Sequence, residues 1–414
     1  MRHPPGPTPR RAALLVILLP ALAACASRGG SGGGAAYGAM PADAASPTGA
    51  YVTRLGTDTL AIERVAWSDT ALTGEIVVRS PASFVRTYAV RLAPDGRATH
   101  YEADLRPLNG TTPAPSHVVI DIGADSARWE ITSGTNPARR GAMPLAAGTP
   151  AIPFANFSSG LFSLMTQLAR RSGSDSMTVA LAGAGSQQPF MATLRRAGRD
   201  SFAVAVGQPA PYRVRVDALG NIVGLQGFET TQKIQVERVP DVDMRAIERS
   251  FASRDLGPLS ARDSLTATFG AAHVFVDYGR PFMRGRKVFG GIVPHDSVWR
   301  TGANFATVLR TDRDIVMGGQ TIPAGKYTLW TVPSRTGAWK LIVNKKTLDE
   351  RGNPLWGTMY DASQDLARVD IQTETLPQPV EEFTITIEPR GPDAGALRMA
   401  WERTGMTVPF TVKP

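Results

Sequence analysis

The sequence predicts a mainly β protein, with an N-terminal antiparallel β-sheet domain covered by one helix and a C-terminal β-sandwich. Three observations favour this fold class. Short β-rich runs separated by turn residues fill residues 51–240, and one helical stretch near residues 158–171 interrupts them. From Leu265 onward, alternating runs return without a further helical pattern. A chain of 414 residues with 43% hydrophobic content is also long enough to form two cores.

The N-terminal domain, residues 51–240, contains runs that suit strands and one that suits a helix. The Asp95-Gly96 pair is a strong hairpin signal between two such strands. The helical stretch has one apolar face, formed by Leu161, Leu164, Met165 and Leu168. A helix lying across a curved sheet is similar, in fold alone, to lipoproteins that hold acyl chains. A helix that only closes the core is the alternative interpretation.

Residues 241–263 form the predicted junction, with a short helix followed by a polar stretch. The C-terminal domain then covers residues 264–414. Its clearest strand has Phe383, Ile385 and Ile387 alternating with polar residues, so that one face is buried and the other is exposed. About eight short strands of this kind predict a β-sandwich.

Residues 1–24 are typical of an export signal, because three arginines precede a short uncharged apolar run that cannot comfortably span a bilayer. The segment ends in Leu22-Ala23-Ala24-Cys25, which resembles the lipobox of bacterial lipoproteins. Lipid on the Cys25 thiol is therefore expected to anchor the protein to a membrane of the bacterial cell envelope. Residue 26 is Ala and not Asp, which, by resemblance to the sorting of enterobacterial lipoproteins, favours the outer membrane, on its periplasmic face or surface. Residues 25–50, rich in Gly, Ser and Ala, predict a flexible tether.

The charge and the cysteine count exclude several classes of function. The formal net charge is +9, but three of those charges lie in the predicted signal, which leaves +6. There is no block of five or more like charges and no basic helix, so no nucleic-acid partner is expected. A single cysteine excludes disulfide frameworks and four-cysteine zinc sites. His100 and His117 lack the spacing of metal ligands, so neither a metal nor a cofactor is expected.

One stretch of the C-terminal domain is not typical of a generic sandwich. It contains Gly279-Arg280-Pro281, Gly285-Arg286 and Phe289-Gly290, followed by the run Trp299-Arg300-Thr301-Gly302-Ala303-Asn304. With the later Ile322 to Tyr327 and Trp401-Glu402, these residues resemble the bacterial domain of unknown function 2911 over about residues 265–412. The residue after Gly-Ala-Asn is most often Glu in that family, whereas here it is Phe305. No activity is established for the family, so the resemblance implies a class without a function.

Seven residues of this stretch are predicted to bind a ligand. Arginine presents a rigid fork of donors that suits carboxylate or phosphate, and an asparagine amide both donates and accepts. Two aromatic residues would add stacking walls. The expected ligand is a small anionic molecule or a glycan. The seven residues are Tyr278, Arg280, Arg284, Arg286, Trp299, Arg300 and Asn304.

Three alternatives remain open at this point. The arginines could instead bond loop carbonyls and tie the ends of the sandwich together. An envelope hydrolase acting on a small anionic or glycan substrate would need a catalytic set, for which His273 and His295 are the only histidines in this domain. No catalytic residue is assigned. A module that docks an unidentified envelope protein is the third alternative.

Overall fold

The computed structural model describes residues 48–110, 112–207 and 210–413. Two large, mainly antiparallel sheets contain most of these residues, one in each half of the chain, so the predicted mainly β fold class is confirmed. The predicted signal segment and Cys25 lie outside the described residues, as does most of the predicted tether.

The first sheet is made of two meanders that lie side by side and are joined through its first and last strands in the chain. Its order is β8-β7-β6-β5-β4-β3-β2-β1-β15-β14-β13-β12-β11-β10-β9, and all of its pairings are antiparallel except that of β9 with β10. Contacts of β9 with β5 and β6 show that the sheet curls over on itself. The strands in the described residues are β1 (Thr48–Leu55), β2 (Asp58–Trp67), β3 (Ala71–Val78), β4 (Phe84–Leu92), β5 (Ala98–Pro107), β6 (Ser116–Ile122), β7 (Ser126–Ser133), β8 (Asn136–Pro144), β9 (Ala151–Pro153), β10 (Ser176–Ala182), β11 (Phe190–Gly198), β12 (Ser201–Val206), β13 (Tyr212–Val216), β14 (Ile222–Gln226) and β15 (Gln235–Val239).

The first strand begins inside the segment predicted to be tether. Thr48-Gly49-Ala50 looks like linker sequence because all three residues are small, yet Ala50 is fully buried and pairs with β2 on one side and β15 on the other. A Cβ on Gly49 would lie 2.7 Å from Nε of Arg238, so close packing against that side chain requires the absence of one. Small size here serves packing and not flexibility.

Helix α1 (Ser159–Ser172) lies inside the curve of the first sheet. The predicted apolar stripe is buried, and Ser158 caps the helix by accepting a hydrogen bond from the Leu161 amide. The buried carboxylate of Glu63 accepts hydrogen bonds from Ser158 Oγ at 2.5 Å and from the Ser159 amide at 2.7 Å. This carboxylate on β2 holds the amino end of α1 against the sheet, where the helix dipole also favours it.

Helix α2 (Met244–Phe251), capped by Asp243, follows the first sheet. Its buried residues Met244 and Phe251 pack against Val77 and Val85, on the face of the sheet that is not covered by α1. The segment after α2 is bonded to the same region, because the Ser83 amide donates to Asp255 Oδ1 at 2.7 Å. These contacts attach the connection between the two sheets to the first one.

The second sheet has the order β16-β17-β18-β21-β22-β23-β24-β19-β20. Its long strand β23 pairs with β22 through its first part and with β24 through the rest, so it passes from one layer of the domain to the other. A bridge between Phe282 and Glu382 brings the end of β17 against β23 and closes the layers over a shared core. The strands are β16 (Ser260–Phe269), β17 (Ala272–Pro281), β18 (Thr307–Thr311), β19 (Ile315–Met317), β20 (Gln320–Ile322), β21 (Gly325–Val332), β22 (Trp339–Asn344), β23 (Asp365–Pro389) and β24 (Ala394–Val412), and a 3-10 turn, Ala362–Gln364, precedes β23.

The second sheet departs from the sequence prediction in two ways. Strand β16 begins at Ser260, inside the predicted junction. The sequence did not indicate this start, because β16 is an edge strand with mostly exposed residues and shows no hydrophobic alternation. The predicted short strands near the end of the chain are parts of the 25-residue β23 and the 19-residue β24. Alternation is local, so it does not show that two short runs belong to one bent strand.

Candidate functional site

The run Trp299-Arg300-Thr301-Gly302-Ala303-Asn304 forms a tight turn that is held at several points. The backbone of Trp299 exchanges two 2.7 Å hydrogen bonds with that of Thr331 on β21. The Thr301 and Thr331 hydroxyls are 2.8 Å apart, and Thr307 Oγ1 donates to the Thr301 carbonyl at 2.7 Å. The backbone of the turn is therefore fixed from both sides, which places the Arg300 side chain on one face of it.

Two glycines allow the turn to lie where it does. A Cβ on Gly279 of β17 would lie 2.2 Å from the Ala303 carbonyl oxygen, so the turn rests directly on the strand backbone. A Cβ on Gly357 would lie 1.9 Å from Cδ of Arg300. The Gly357 amide also donates to the Asn304 carbonyl at 2.8 Å. The aliphatic part of Arg300 is thus packed on backbone, which fixes the direction of its guanidinium.

The Arg300 side chain lines a cavity of about 520 Å³, which we call the junction pocket. This volume is within the usual range for small-molecule sites. Both domains contribute to the wall: the loop over 229–234 comes from the first domain and the turn over 299–304 from the second. Its principal polar and aromatic residues are Glu229, Gln232, Lys233, Arg286, Trp299, Arg300, Asn304, Trp330, Trp356, Tyr360 and Trp401.

Arg300 has neither a hydrogen bond nor an ion pair with any other residue that the structure describes, and its Nε atom is buried. Burial alone lowers the pKa of Arg300 to about 10, so the group keeps its charge at neutral pH. A guanidinium placed out of water without a carboxylate partner is unfavourable by several kcal/mol. Its orientation into the pocket leaves its donors available to a ligand.

Two more cations face the same space. Burial, together with the positive charges of Arg300 and Arg286, lowers the pKa of Lys233 to about 8. Lys233 Nζ donates to the Phe228 carbonyl at 2.8 Å. Arg286 donates to the carbonyls of Met283 and Phe282 and has no carboxylate partner among the described residues. The carboxylate of the pocket wall, Glu229, is 2.5 Å from Arg213 and so is already paired. The pocket therefore has an excess of positive charge.

The tryptophans supply the apolar part of the wall. Four of the seven in the chain, at positions 299, 330, 356 and 401, line the junction pocket. Trp299 stacks on Trp401 with ring centroids 5.7 Å apart, and Phe289 meets both rings edge to face. An apolar wall of this kind lowers the local dielectric constant, which strengthens the interaction of a cation with an anion.

Three of the seven described non-glycine residues with a positive φ line the junction pocket. Phe157, Lys233 and Asn304 line the pocket and have left-handed backbones, with φ of 67°, 54° and 61°. Thr301, inside the turn, has φ of 51°. A left-handed conformation is a clear departure for a bulky residue such as phenylalanine, and such strained residues cluster at functional sites.

The structure brings four of the seven predicted ligand residues together and separates three. Arg286, Trp299, Arg300 and Asn304 line the junction pocket. Tyr278 does not form the predicted wall, because it is only 1% exposed in the core and its hydroxyl bonds the backbone of Ile385.

The other two predicted arginines are held by carboxylates. Arg280 pairs with Asp263 at 3.2 Å and with Glu382 at 2.8 Å. Arg284 pairs with Asp58 of the first domain, and its carbonyl accepts a hydrogen bond from the Thr57 amide at 3.0 Å. Arg280 and Arg284 therefore fit the alternative in which the arginines tie structural elements together, because their donors are bonded to other residues of the protein.

The sequence pattern missed the contribution of the first domain to the pocket. Lys233 lies in a polar loop without a motif, and Phe157 precedes the cap of α1. One signal was available: Lys233 is the only lysine among the first 286 residues of the chain, where every other cationic side chain apart from histidine is arginine. A single lysine among many arginines indicates a position where a compact ammonium that can titrate is needed, and where a guanidinium would not serve.

The four histidines that the structure describes lie outside the junction pocket. His273 Nδ1 is 2.8 Å from Asp312 at an exposed position, while His295 lies in a loop beside Gly290 with its Nδ1 atom buried and unbonded. His100 pairs with Asp121 and His117 with Asp104 on the first sheet. Among the described residues, no group of three or more His, Cys, Asp or Glu side chains is arranged to hold a metal ion. No helix in the described ranges is long and apolar enough to cross a membrane.

Comparison with known proteins finds one family model that matches the C-terminal region. Residues 260–410 match the model of a family described as protein of unknown function (DUF2911), which confirms the resemblance seen in the sequence. No curated protein matches the chain. Among solved structures, the chain is similar to the crystal structure of a DUF1089 family protein from Pseudomonas aeruginosa, with 12% identity over 41% of this chain and 90% of that chain. The TM-score of 0.30 is too low for this likeness to carry an argument.

Proposed function

We propose that this protein is a binding protein for a small anionic ligand, which it holds in the junction pocket. The observation that carries the proposal is the partly buried guanidinium of Arg300, which has no partner among the described residues and lies in a pocket with Lys233 and Arg286. A carboxylate or phosphate group would accept hydrogen bonds from the guanidinium fork and compensate its charge.

The chemistry of the wall favours binding over hydrolysis. Its described residues offer donors and aromatic rings, whereas the one carboxylate among them, Glu229, is paired with Arg213. A hydrolase would need a base close to the bound group, in a position to accept a proton. His273 and His295 do not line the pocket.

The proposal is tested by calorimetric titration of the full chain with inorganic phosphate and with acetate. We expect Arg300→Met to lower the affinity for the better ligand by roughly 10- to 100-fold, the range for loss of a charge-assisted hydrogen bond. Methionine retains the aliphatic stem that packs on Gly357. Arg280→Met is the matched control and should leave the affinity unchanged. Equal losses in both variants, or no heat with either anion or with a wider panel of phosphates, carboxylates and acidic sugars, would contradict the proposal.

We also propose that the protein is exported and anchored to the cell envelope by lipid on Cys25, as the lipobox-like segment indicates. Cys25→Ser should then release folded protein into the soluble fraction, whereas substitution of a neighbouring residue of the tether such as Ser27→Ala should leave it in the membrane fraction. Retention of the Cys25→Ser protein in the membrane would mean that something other than this lipid holds it.

A further inference from the structure

A second, apolar cavity of about 80 Å³ lies beneath helix α1 and adjoins the junction pocket. Phe157, Gln232 and Ile234 line both spaces. Within the loop they share, Lys233 directs its charge to the junction pocket while its neighbour Ile234 also borders the apolar cavity. A charged pocket and an apolar cavity therefore lie side by side and share three residues of their walls.

The wall of the apolar cavity is formed mainly by aliphatic and aromatic side chains. They come from the first turn of α1 and from the inner face of the first sheet, and include Ile152, Phe154, Leu161, Phe162, Val206 and Leu225. The polar side chains at its edge are largely occupied, since Ser158 Oγ is bonded to Glu63. An apolar space of this kind favours a hydrocarbon group over water.

Three of the exposed apolar side chains lie beside the two spaces. Val298 lines the junction pocket and is 40% exposed, and Phe305 packs edge to face on the pocket residue Trp356 with centroids 5.0 Å apart. Phe190, 51% exposed, lies 5.9 Å from the ring of Phe154 in the apolar cavity. Exposed apolar surface beside a cationic pocket is unfavourable for the free protein and suits a ligand with both characters.

We infer that the ligand is an anionic amphiphile, with its charged head between Arg300, Arg286 and Lys233 and a short alkyl or acyl chain directed past Ile234 into the apolar cavity. This inference rests on the proposed function and adds the chemical class of the ligand. Charge complementarity selects the head, and the volume and apolar wall of the cavity select the chain. The volume suits a chain of a few carbons and not a full membrane lipid tail.

The test is a series of monoalkyl phosphates with one head group: inorganic phosphate, methyl, butyl and hexyl phosphate, each below its micelle concentration. The full chain carrying Cys25→Ser is used so that no detergent is needed. We expect the affinity to rise about fourfold for each added methylene until the cavity is filled. Glycerol phosphate, with a polar tail of similar length to butyl phosphate, should bind no better than methyl phosphate.

Val206 lines the apolar cavity and does not line the junction pocket, so Val206→Phe is the matched variant. It should remove the gain from chain length and leave the affinity for inorganic phosphate unchanged. Phosphate binding that is indifferent to chain length would overturn this inference while the proposed function stood. Absence of binding throughout the series, repeated with a carboxylate series, would overturn both. A gain in affinity with alkyl length that persists in folded Val206→Phe, or an equal gain with glycerol phosphate, would show that the alkyl chain of the ligand does not enter the apolar cavity, and would overturn the inference.

Discussion

Arg238 in the first domain and Arg300 in the second both hold a guanidinium that is largely withdrawn from water, but their surroundings differ. Arg238 Nη1 is 2.9 Å from the buried carboxylate of Asp217, which also accepts hydrogen bonds from the backbone and side chain of Asn221. Arg300 has no such carboxylate. A complete ion pair is a structural element, whereas we propose that the cation without a carboxylate partner, Arg300, serves to bind an anion.

Asp217→Ala should have the largest effect on the free energy of unfolding, because it removes the buried carboxylate that pairs with Arg238. We expect a loss of about 3 to 5 kcal/mol in urea unfolding. Glu237→Ala, which removes the exposed pair with Arg54, is the control and should cost about 1 kcal/mol or less. Similar losses in the two variants would show that burial of the Asp217 pair is energetically unimportant.

Arg300→Met should show the opposite behaviour in the free protein. Replacing an uncompensated buried charge by an apolar side chain is neutral or stabilising, so we expect the free energy of unfolding to stay the same or to rise by about 1 kcal/mol. The measurement is urea unfolding without added anion. A loss of more than about 2 kcal/mol would mean that Arg300 supports the fold and would remove the contrast with Arg238.

Lys233 is expected to make anion binding in the junction pocket depend on pH. Its pKa in the folded protein is about 8, so anion affinity should fall by a few fold as the pH rises through that value and the ammonium loses its charge. Calorimetric titrations from pH 6.5 to 9.5 test this directly. Lys233→Met should bind more weakly and show no step near pH 8. A step of unchanged size in that variant would assign the titration to another group.

The lowered pKa of Lys233 also predicts how the free energy of unfolding of the ligand-free protein changes with pH. Lys233 has a lower pKa in the folded protein than its ordinary value of 10.5, so the unfolded chain binds more protons between about pH 8 and 10.5. The contribution of Lys233 therefore raises the free energy of unfolding as the pH rises through that window, and Lys233→Met should remove this contribution.

Arg280→Met should have the smallest effect. Arg280 pairs with Asp263 and Glu382 at partly exposed positions, where ion pairs contribute about 1 kcal/mol or less. We expect a change of that size in urea unfolding and none in anion affinity. A large loss of affinity would show that paired and unpaired arginines are equivalent here.

Much of the architecture could be predicted because it depends on local patterns. The stripe from Leu161 to Leu168 indicated α1, and the alternation around Phe383 indicated a strand with one buried face. Strands β1 and β16 began earlier than predicted, because small residues in one and polar residues in the other carry no alternation. The long β23 was not evident since a bend between layers leaves no local mark.

What the sequence by itself determined about this protein is its β-rich class, the family of its C-terminal region and a short set of candidate cations, because these depend on periodicity and on motifs. Only the tertiary structure decided which cations are available. Arg280 and Arg284 meet carboxylates that are distant in sequence, Asp263 and Asp58, whereas Arg300 meets none among the described residues and is joined in the pocket by Lys233 of the other domain. The availability of a charge depends on its neighbours in space, and folding alone brings those neighbours together.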